Sequence, residues 1–234
     1  MKTCLISGAS QGIGESLAYL FAKSGYNVLL LARDGLKLET ICSEINSGEG
    51  SAHFLSIDLT NAEEVLQKLP SFLDQFQPVN VLINNAGRGI FGPMEDFSLA
   101  DYDRVMDLNV KASFLLTSLV LKGMKEERNG HVIAVASDVS KRTFARGSLY
   151  CASKYAQDAL FSALRKEVRP FSIKVSVVYP GLTDTAFHPV KEPESVTKQW
   201  LTADQVAQAI LFIAEAPDQV VIDELMIHPL SQDY

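Results

Sequence analysis

No apolar stretch in the chain approaches the ~20 residues that a membrane-spanning helix needs, so no membrane partner is expected. Basic residues are in deficit, 21 against 28 acidic ones, for a net charge of −7 and a pI near 5.1. That balance argues against general affinity for nucleic acid or an anionic membrane surface. Cysteine is scarce as well. Cys4, Cys42 and Cys151 show no metal-ligand spacing, and an odd count fits reduced thiols in a cytoplasmic compartment. Cys151 reads as a packing residue. The four histidines, His53, His131, His188 and His228, pair with no acid or cysteine at ligand spacing, so no metal is expected. Internal repeats and low-complexity tracts are missing. No secretory apolar region is expected either, because Met1-Lys2 leads straight into Thr3–Ser7, which reads as a first strand.

What is present suits one α/β domain over residues 1–234, since 47% hydrophobic and 21% charged residues can fill one sizeable core. Short apolar runs alternate with amphipathic segments, the pattern of a parallel sheet covered on both faces. Strands are expected at Thr3–Ser7, Val28–Ala32, His53–Ile57, Val79–Ile83, His131–Ala136, Lys174–Val178 and Val220–Ile227. Helices are expected near Gly12–Ser24, Leu36–Asn46, Ala62–Phe76, Asp101–Lys125, Tyr150–Val168 and Asp204–Glu215. Thr60 with Glu63, and Thr202 with Gln205, have the spacing of capping boxes. Seven strands with right-handed crossovers make a doubly wound Rossmann sheet. The stretch 183–200 breaks the rhythm and holds Phe187, His188 and Trp200. Its place after a strand end makes it either a lid over substrate or a surface excursion.

Three motifs carry chemistry. Ser7-Gly8-Ala9-Ser10-Gln11-Gly12-Ile13-Gly14 lies between the first strand and the first helix. Its glycines let the backbone turn sharply and approach a pyrophosphate, which the helix N-terminus attracts. Asn84-Asn85-Ala86-Gly87 follows the fourth strand. Tyr150 and Lys154 sit at i, i+4 on one helix face, with Ser137 thirteen positions upstream. A free phenol ionises near pH ~10, and a fixed ammonium beside it lowers that value towards the working range. Tyr-x-x-x-Lys by itself also occurs as a solvated lysine beside a packed tyrosine. Arg33 stands at the end of the second strand, where an acid reads the NAD ribose and an arginine accommodates a 2′-phosphate. NADP(H) is therefore expected over NAD(H), with Asp34 and the neutral Gln11 tempering that choice.

Together these motifs resemble the classical short-chain dehydrogenase/reductase family over nearly the whole chain. The glycine loop has the family's G-x-x-x-G-x-G form, with Ser7 where Thr is usual. The resemblance implies a dinucleotide held by Gly8, Ser10, Gln11, Gly12, Ile13 and Gly14. Asp58 and Leu59 would meet the adenine, although Asp58 reads equally as a helix N-terminal charge. Asn85, Ala86 and Gly87 would line its ribose. Pro180, Gly181, Leu182, Thr183 and Thr185 would meet the nicotinamide carboxamide.

The resemblance also assigns catalytic roles. Tyr150 would be the acid/base, and Lys154 would lower its pKa and hold the nicotinamide ribose. Ser137 would polarise the carbonyl oxygen, and Asn109 would position a water leading to Lys154. Arg88, Ile90, Phe91, Asp138, Phe144, Tyr179, Leu182, Phe187 and Trp200 are the candidate pocket residues, with Arg88 and Asp138 either anchors or solvated loop positions.

The tail Glu224–Pro229, with Gly89–Gly92, resembles sepiapterin-reductase-like and carbonyl reductase members. Asp138 or Asp184 would then face a pteridine's amino-pyrimidine edge. The expected function is reduction of a small carbonyl, or oxidation of the corresponding alcohol, by a homodimer or homotetramer paired through the long helices. Alternatives are a 3-oxoacyl-carrier-protein reductase, with Lys141, Arg142 and Arg146 as the carrier's basic patch, and a nucleotide-binding sensor that has lost turnover.

Overall fold

Alternation along the strands decides which residues reach which helix layer. The computed structural model describes residues 1–187 and 194–233. Seven strands, β1 (Thr3–Ser7), β2 (Asn27–Ala32), β3 (Ser51–Ser56), β4 (Val79–Asn84), β5 (Gly130–Val135), β6 (Ile173–Pro180) and β9 (Glu224–Ile227), form one sheet. Their order is β3-β2-β1-β4-β5-β6-β9, and every pairing is parallel. Cys4, Ile6, Val28 and Leu30 point to a layer built by α1 (Gly12–Lys23), α2 (Gly35–Asn46) and α8 (Ala203–Ala214). Leu5, Leu29 and Leu31 point the other way, onto α3 (Ala62–Leu73), α5 (Ala112–Glu127) and α6 (Ser148–Val168). Burial on both faces is why β2 reads as an unbroken Val-Leu-Leu-Leu run. Each fully buried leucine contributes about 1.5–3 kcal/mol of apolar transfer. Strand order reverses at β1/β4, and the crevice beyond that switch point is where such sheets take ligands.

Three expectations need correction. Asp101–Lys125 is not one helix: α4 (Leu99–Met106) and α5 flank a π-helical turn at Asp107–Lys111. There Ser113 donates its hydroxyl to the Asn109 carbonyl at 2.9 Å, a side-chain bond added at the point where the backbone ladder widens. The α3 cap is Asn61, which accepts from Glu64 N at 3.1 Å, not Thr60. Thr60 instead gives both its N–H and its hydroxyl to Asp58. The last strand begins at Glu224 rather than Val220, because β6 offers partners only from Val177 to Pro180. Thr202 and Gln205 do form the reciprocal box that opens α8. The other strand and helix ends fall within two residues of expectation, except that α3 stops at Leu73, three residues before Phe76.

The stretch 183–200 is rooted by a two-stranded sheet in which β7 (Thr183–Asp184) pairs with β8 (Leu201–Thr202). A short helix, α7 (Glu194–Thr197), precedes β8. His188 lies outside the described residues. Among those described, no helix is long and apolar enough to cross a membrane, and no cluster of histidine, cysteine or acids could hold a metal.

Candidate active site

A cleft of about 1030 Å³ opens at the carboxyl ends of the strands. Its floor is the glycine loop. Gly8 adopts φ +68°, and a Cβ there would stand 2.9 Å from Ala86 Cα. A Cβ on Gly14 would stand 2.1 Å from the Gly8 carbonyl, so α1 packs directly onto the loop. Gly14 therefore seats the helix and does not line the cleft, in contrast to Gly8, Ser10, Gln11, Gly12 and Ile13. The first N–H groups of α1 have no intrahelical acceptor, and the helix begins hydrogen bonding with Glu15 N to Gln11 O. Side-chain-free backbone at a helix N-terminus, opening on a long cleft, fits a dinucleotide pyrophosphate.

Ser7 explains its own presence where the family pattern has Thr. Its hydroxyl accepts from Asn85 N and Ala86 N, each at 3.0 Å, and so joins β1 to the segment after β4. The Asn85 amide donates to the Ser7 and Gly8 carbonyls, bracing the loop from the far side. Ala86, Gly87, Leu59 and Asp58 complete this wall. Burial pushes the Asp58 carboxyl up, but the Thr60 hydrogen bonds and the charges of Arg33 and Arg88 outweigh it and leave the group below its ordinary value. At the end of β2, Arg33 lines the rim. Asp34 is turned to the N-terminus of α2, where it accepts from Lys37 N at 3.1 Å. Lys37 also reaches this rim, a cation that the sequence reading missed.

Across the cleft stand Ser137, after β5, and Tyr150 and Lys154, one turn apart on α6. The Ser137 hydroxyl hydrogen-bonds the Tyr150 phenol and donates to Asp138 Oδ1 at 3.0 Å. Burial drives the Tyr150 phenol well above its ordinary value; the Ser137 bond opposes this, and the Asp138 charge adds to it. The expected lowering of Tyr150 by Lys154 is absent. Lys154 is itself brought down to about 7 by burial, and its Nζ is 5.8 Å from the Tyr150 ring centroid. That amine donates to the Val135 carbonyl at 3.1 Å and to Gln157 Oε1 at 2.8 Å.

Asn109 is fully buried behind Gly87 and does not reach the cleft. Its amide accepts from Arg88 N and donates to Arg88 O and Ser153 Oγ, all within 2.9 Å. These bonds clamp the backbone of the segment after β4.

The model of the short chain dehydrogenase family matches residues 2–195. The chain belongs to the short-chain dehydrogenase family. An uncharacterized oxidoreductase of Staphylococcus aureus strain MW2 is 28% identical over 229 residues, covering 98% of this chain and 97% of its own. The structure of an alcohol dehydrogenase from the archaeon Thermococcus sibiricus complexed with 5-hydroxy-NADP superposes with a TM-score of 0.91 at 28% identity, covering 100% of this chain and 99% of that one. A 3-ketoacyl-(acyl-carrier-protein) reductase from Brucella melitensis complexed with NADH gives 0.88 at 26%, covering 97% of each chain. This chain is thus an NAD(P)-dependent oxidoreductase of that family.

Around Tyr150 the cleft of this short-chain dehydrogenase is aromatic. Phe91 lies 5.5 Å from Tyr150 and 5.9 Å from Phe144, and Phe187 lies 5.4 Å from Tyr150, centroid to centroid. Gly89 and Gly147 give those rings a floor, since a Cβ on either would lie 2.3–2.4 Å from the Phe91 or Phe144 ring. Ile90, Leu182, Arg88, Pro180, Gly181, Thr183 and Thr185 also line the cleft.

Two expected pocket residues lie elsewhere. Tyr179 is buried on the α5–α6 face and donates to Asp158 at 2.6 Å, because the alternation of β6 turns it away from the cleft. Trp200, at the end of the excursion, is not among the cleft-lining residues. Asp138 is buried and engaged by Arg142 and by Gln232 Nε2 at 2.7 Å, so neither it nor Asp184, which is off the cleft, offers a carboxylate to a ring edge. Of the suggested basic patch, Lys141 pairs with Asp158 and Glu224, and Arg142 pairs with Asp138. The C-terminal residues Ser231, Gln232 and Asp233 line the cleft without any sequence signal.

Proposed function

We propose that the chain is an NADPH-preferring carbonyl reductase in which Tyr150 gives a proton to the carbonyl oxygen. One observation carries the reading: Tyr150 packs against the paired Phe91 and Phe187 rings, with the Ser137 hydroxyl at its phenol and the Lys154 amine 5.8 Å from its ring centroid. When bound, the reduced nicotinamide supplies hydride to the carbonyl carbon. Burial keeps the phenol protonated, so it holds the proton that a reduced carbonyl oxygen takes up. Ser137 orients that phenol and the carbonyl oxygen beside it. Asn109 acts as a positioning residue through the Arg88 backbone. Lys154 holds its amine beneath the tyrosine ring.

Preference for NADPH is supported by Arg33 and Lys37 on one rim, where the carboxylate of Asp34 is engaged as the α2 cap. The apolar aromatic end suits a hydrophobic or ring-bearing carbonyl. It suits a pteridine less well, since its carboxylates are engaged or off the cleft. A carrier-bound 3-oxo thioester is a lower reading for the same reason, because Lys141 and Arg142 are already paired. Residues 1–234 are taken as one dinucleotide-binding domain, with 183–200 as the substrate-side lid that contributes Phe187. A cytoplasmic dimer or tetramer is proposed, paired through α5 and α6, where Phe114 and Tyr155 are 55% and 41% exposed.

A carbonyl panel followed by loss of NADPH absorbance, with NADH alongside, tests the reading. Tyr150→Phe is expected to lose roughly 10²–10⁴-fold in turnover while still binding NADPH. A wild-type chain that binds NADPH and reduces no carbonyl would instead be the sensor.

A further inference from the structure

Behind the catalytic wall two buried polar side chains that none of the roles above uses, Gln157 and Ser113, join Lys154 to Asn109. Lys154 Nζ donates to Gln157 Oε1 at 2.8 Å, and Gln157 Nε2 is 3.1 Å from Ser113 Oγ. The Ser113 hydroxyl donates to the Asn109 carbonyl at 2.9 Å. Lys154, Gln157, Ser113 and Asn109 are all at most 3% exposed. Polar groups this deep cost free energy unless each is paired, and half-satisfied files are worse than an apolar core. Packing α5 against α6 needs no such file, because leucine or valine would fill the same space.

We propose that Gln157 is a positioning residue that holds the Lys154 amine under Tyr150 with a neutral oxygen, through a relay anchored on Ser113 and the π-helical turn. The proposal rests on the catalytic reading above and adds a residue to it. The choice of an amide is chemically specific. A carboxylate at residue 157 would pair with the ammonium and hold it there, charged. An alkyl group would leave the amine only the Val135 carbonyl. An amide fixes the direction of the amine without cancelling its charge, so it remains a donor to Tyr150 and to ribose hydroxyls.

The surroundings bear this out element by element. On α6 the titratable neighbour is Tyr150, at 5.8 Å from its ring centroid. From β5 comes the Val135 carbonyl, from the π-helical turn the Asn109 amide, and from α5 the Ser113 hydroxyl. The loop after β4 presents Gly87, whose Cβ position lies 3.6 Å from Nζ, with Arg88 next in the chain. Asp138, after β5, is engaged by Ser137, Arg142 and Gln232. No carboxylate hydrogen-bonds or ion-pairs with the amine among the described residues.

The test compares Gln157→Leu, Gln157→Glu and Ser113→Ala with wild type, each checked for a wild-type unfolding transition. The first readout needs no turnover: titration of Lys154 by NMR of ¹³Cε-labelled lysine, assigned with Lys154→Arg. Gln157→Leu is expected to move the Lys154 transition to lower pH and Gln157→Glu to higher pH, by roughly a pH unit each way. Ser113→Ala should move it in the direction of Gln157→Leu but less. The second readout is steady-state reduction, where Gln157→Leu should lower kcat about tenfold with the carbonyl KM little changed. A Lys154 transition at the wild-type pH in both residue-157 variants would overturn the proposal and leave Gln157 as core filling. If wild type reduces nothing, the titration still decides the role of Gln157, while the reductase reading fails separately. Should Gln157→Leu not fold, Gln157→Glu and Ser113→Ala carry the same comparison.

Discussion

The Ser137 hydroxyl donates to Asp138 Oδ1 at 3.0 Å, so the hydroxyl that acts on the Tyr150 phenol is itself oriented by a buried carboxylate. The other oxygen of that carboxylate is engaged by Arg142 and Gln232, with His228 Nε2 at 3.5 Å. A charge fixed this firmly acts on the phenol next to it. Removing it in Asp138→Asn should let Tyr150 ionise at lower pH. Alcohol oxidation needs the phenolate and rises on the alkaline side, so that limb should begin at lower pH in the variant. The measurement is kcat against pH for an alcohol at saturating NADP⁺. A limb that stays put removes Asp138 from the electrostatics of the site.

Cofactor choice is open to the same kind of arithmetic. A charge-assisted hydrogen bond to a phosphate contributes about 1.5–3 kcal/mol, or roughly ten- to a hundredfold in affinity. Arg33→Asp should weaken NADPH by that factor and leave NADH unchanged or improved. Lys37→Ala should do the same to a smaller extent, since Lys37 is also 4.0 Å from Asp34. Michaelis constants for both cofactors in both variants check this. Equal values to wild type would remove the β2 rim from the explanation.

Stability has its own pH dependence, away from the cleft. His131 is buried between β5 and β6 with Nε2 2.8 Å from Ser176 Oγ. Burial, aided by Lys174, lowers its pKa to about 3. The unfolded chain binds that proton near pH ~6.5, so below this the unfolded state takes up more protons than the folded one. The contribution of neutral His131 is therefore present above pH ~6.5 and declines as pH falls towards 3. Urea midpoints at pH 7.5 and 5 should differ more in wild type than in His131→Leu. Parallel losses in the two proteins would show that other groups set the acid limb.

The sheet and most helix positions were legible because alternation and helical period are properties of neighbours in sequence. The glycine loop was legible for the same reason. The π-helical turn was not: Val105, Ala112 and Leu116 continue an apolar stripe across it, so the period gives no sign of a break. A usable sign did exist, since Asn109, Ser113 and Thr117 repeat at every fourth position on that buried side. Gln157, three residues after Lys154, and Lys37, four after Arg33, also lie at helical spacing from a singled-out residue, a sign that went unused. Tyr179 was misplaced because strand position alone does not say which face of the sheet holds the ligand. The approach of Gln232 to Asp138 joins residues 94 positions apart, and no local pattern encodes that.

The short ladder Thr183↔Leu201 and Asp184↔Thr202 ties the two ends of the 183–200 excursion together at its base. Closing a longer segment from such a base costs only about 0.6 kcal/mol per doubling of length. The catalytic wall, built from β5 and α6, shares no backbone with it. Evolution or design can therefore rewrite this segment to admit new molecules while the proton-transfer apparatus stays as it is.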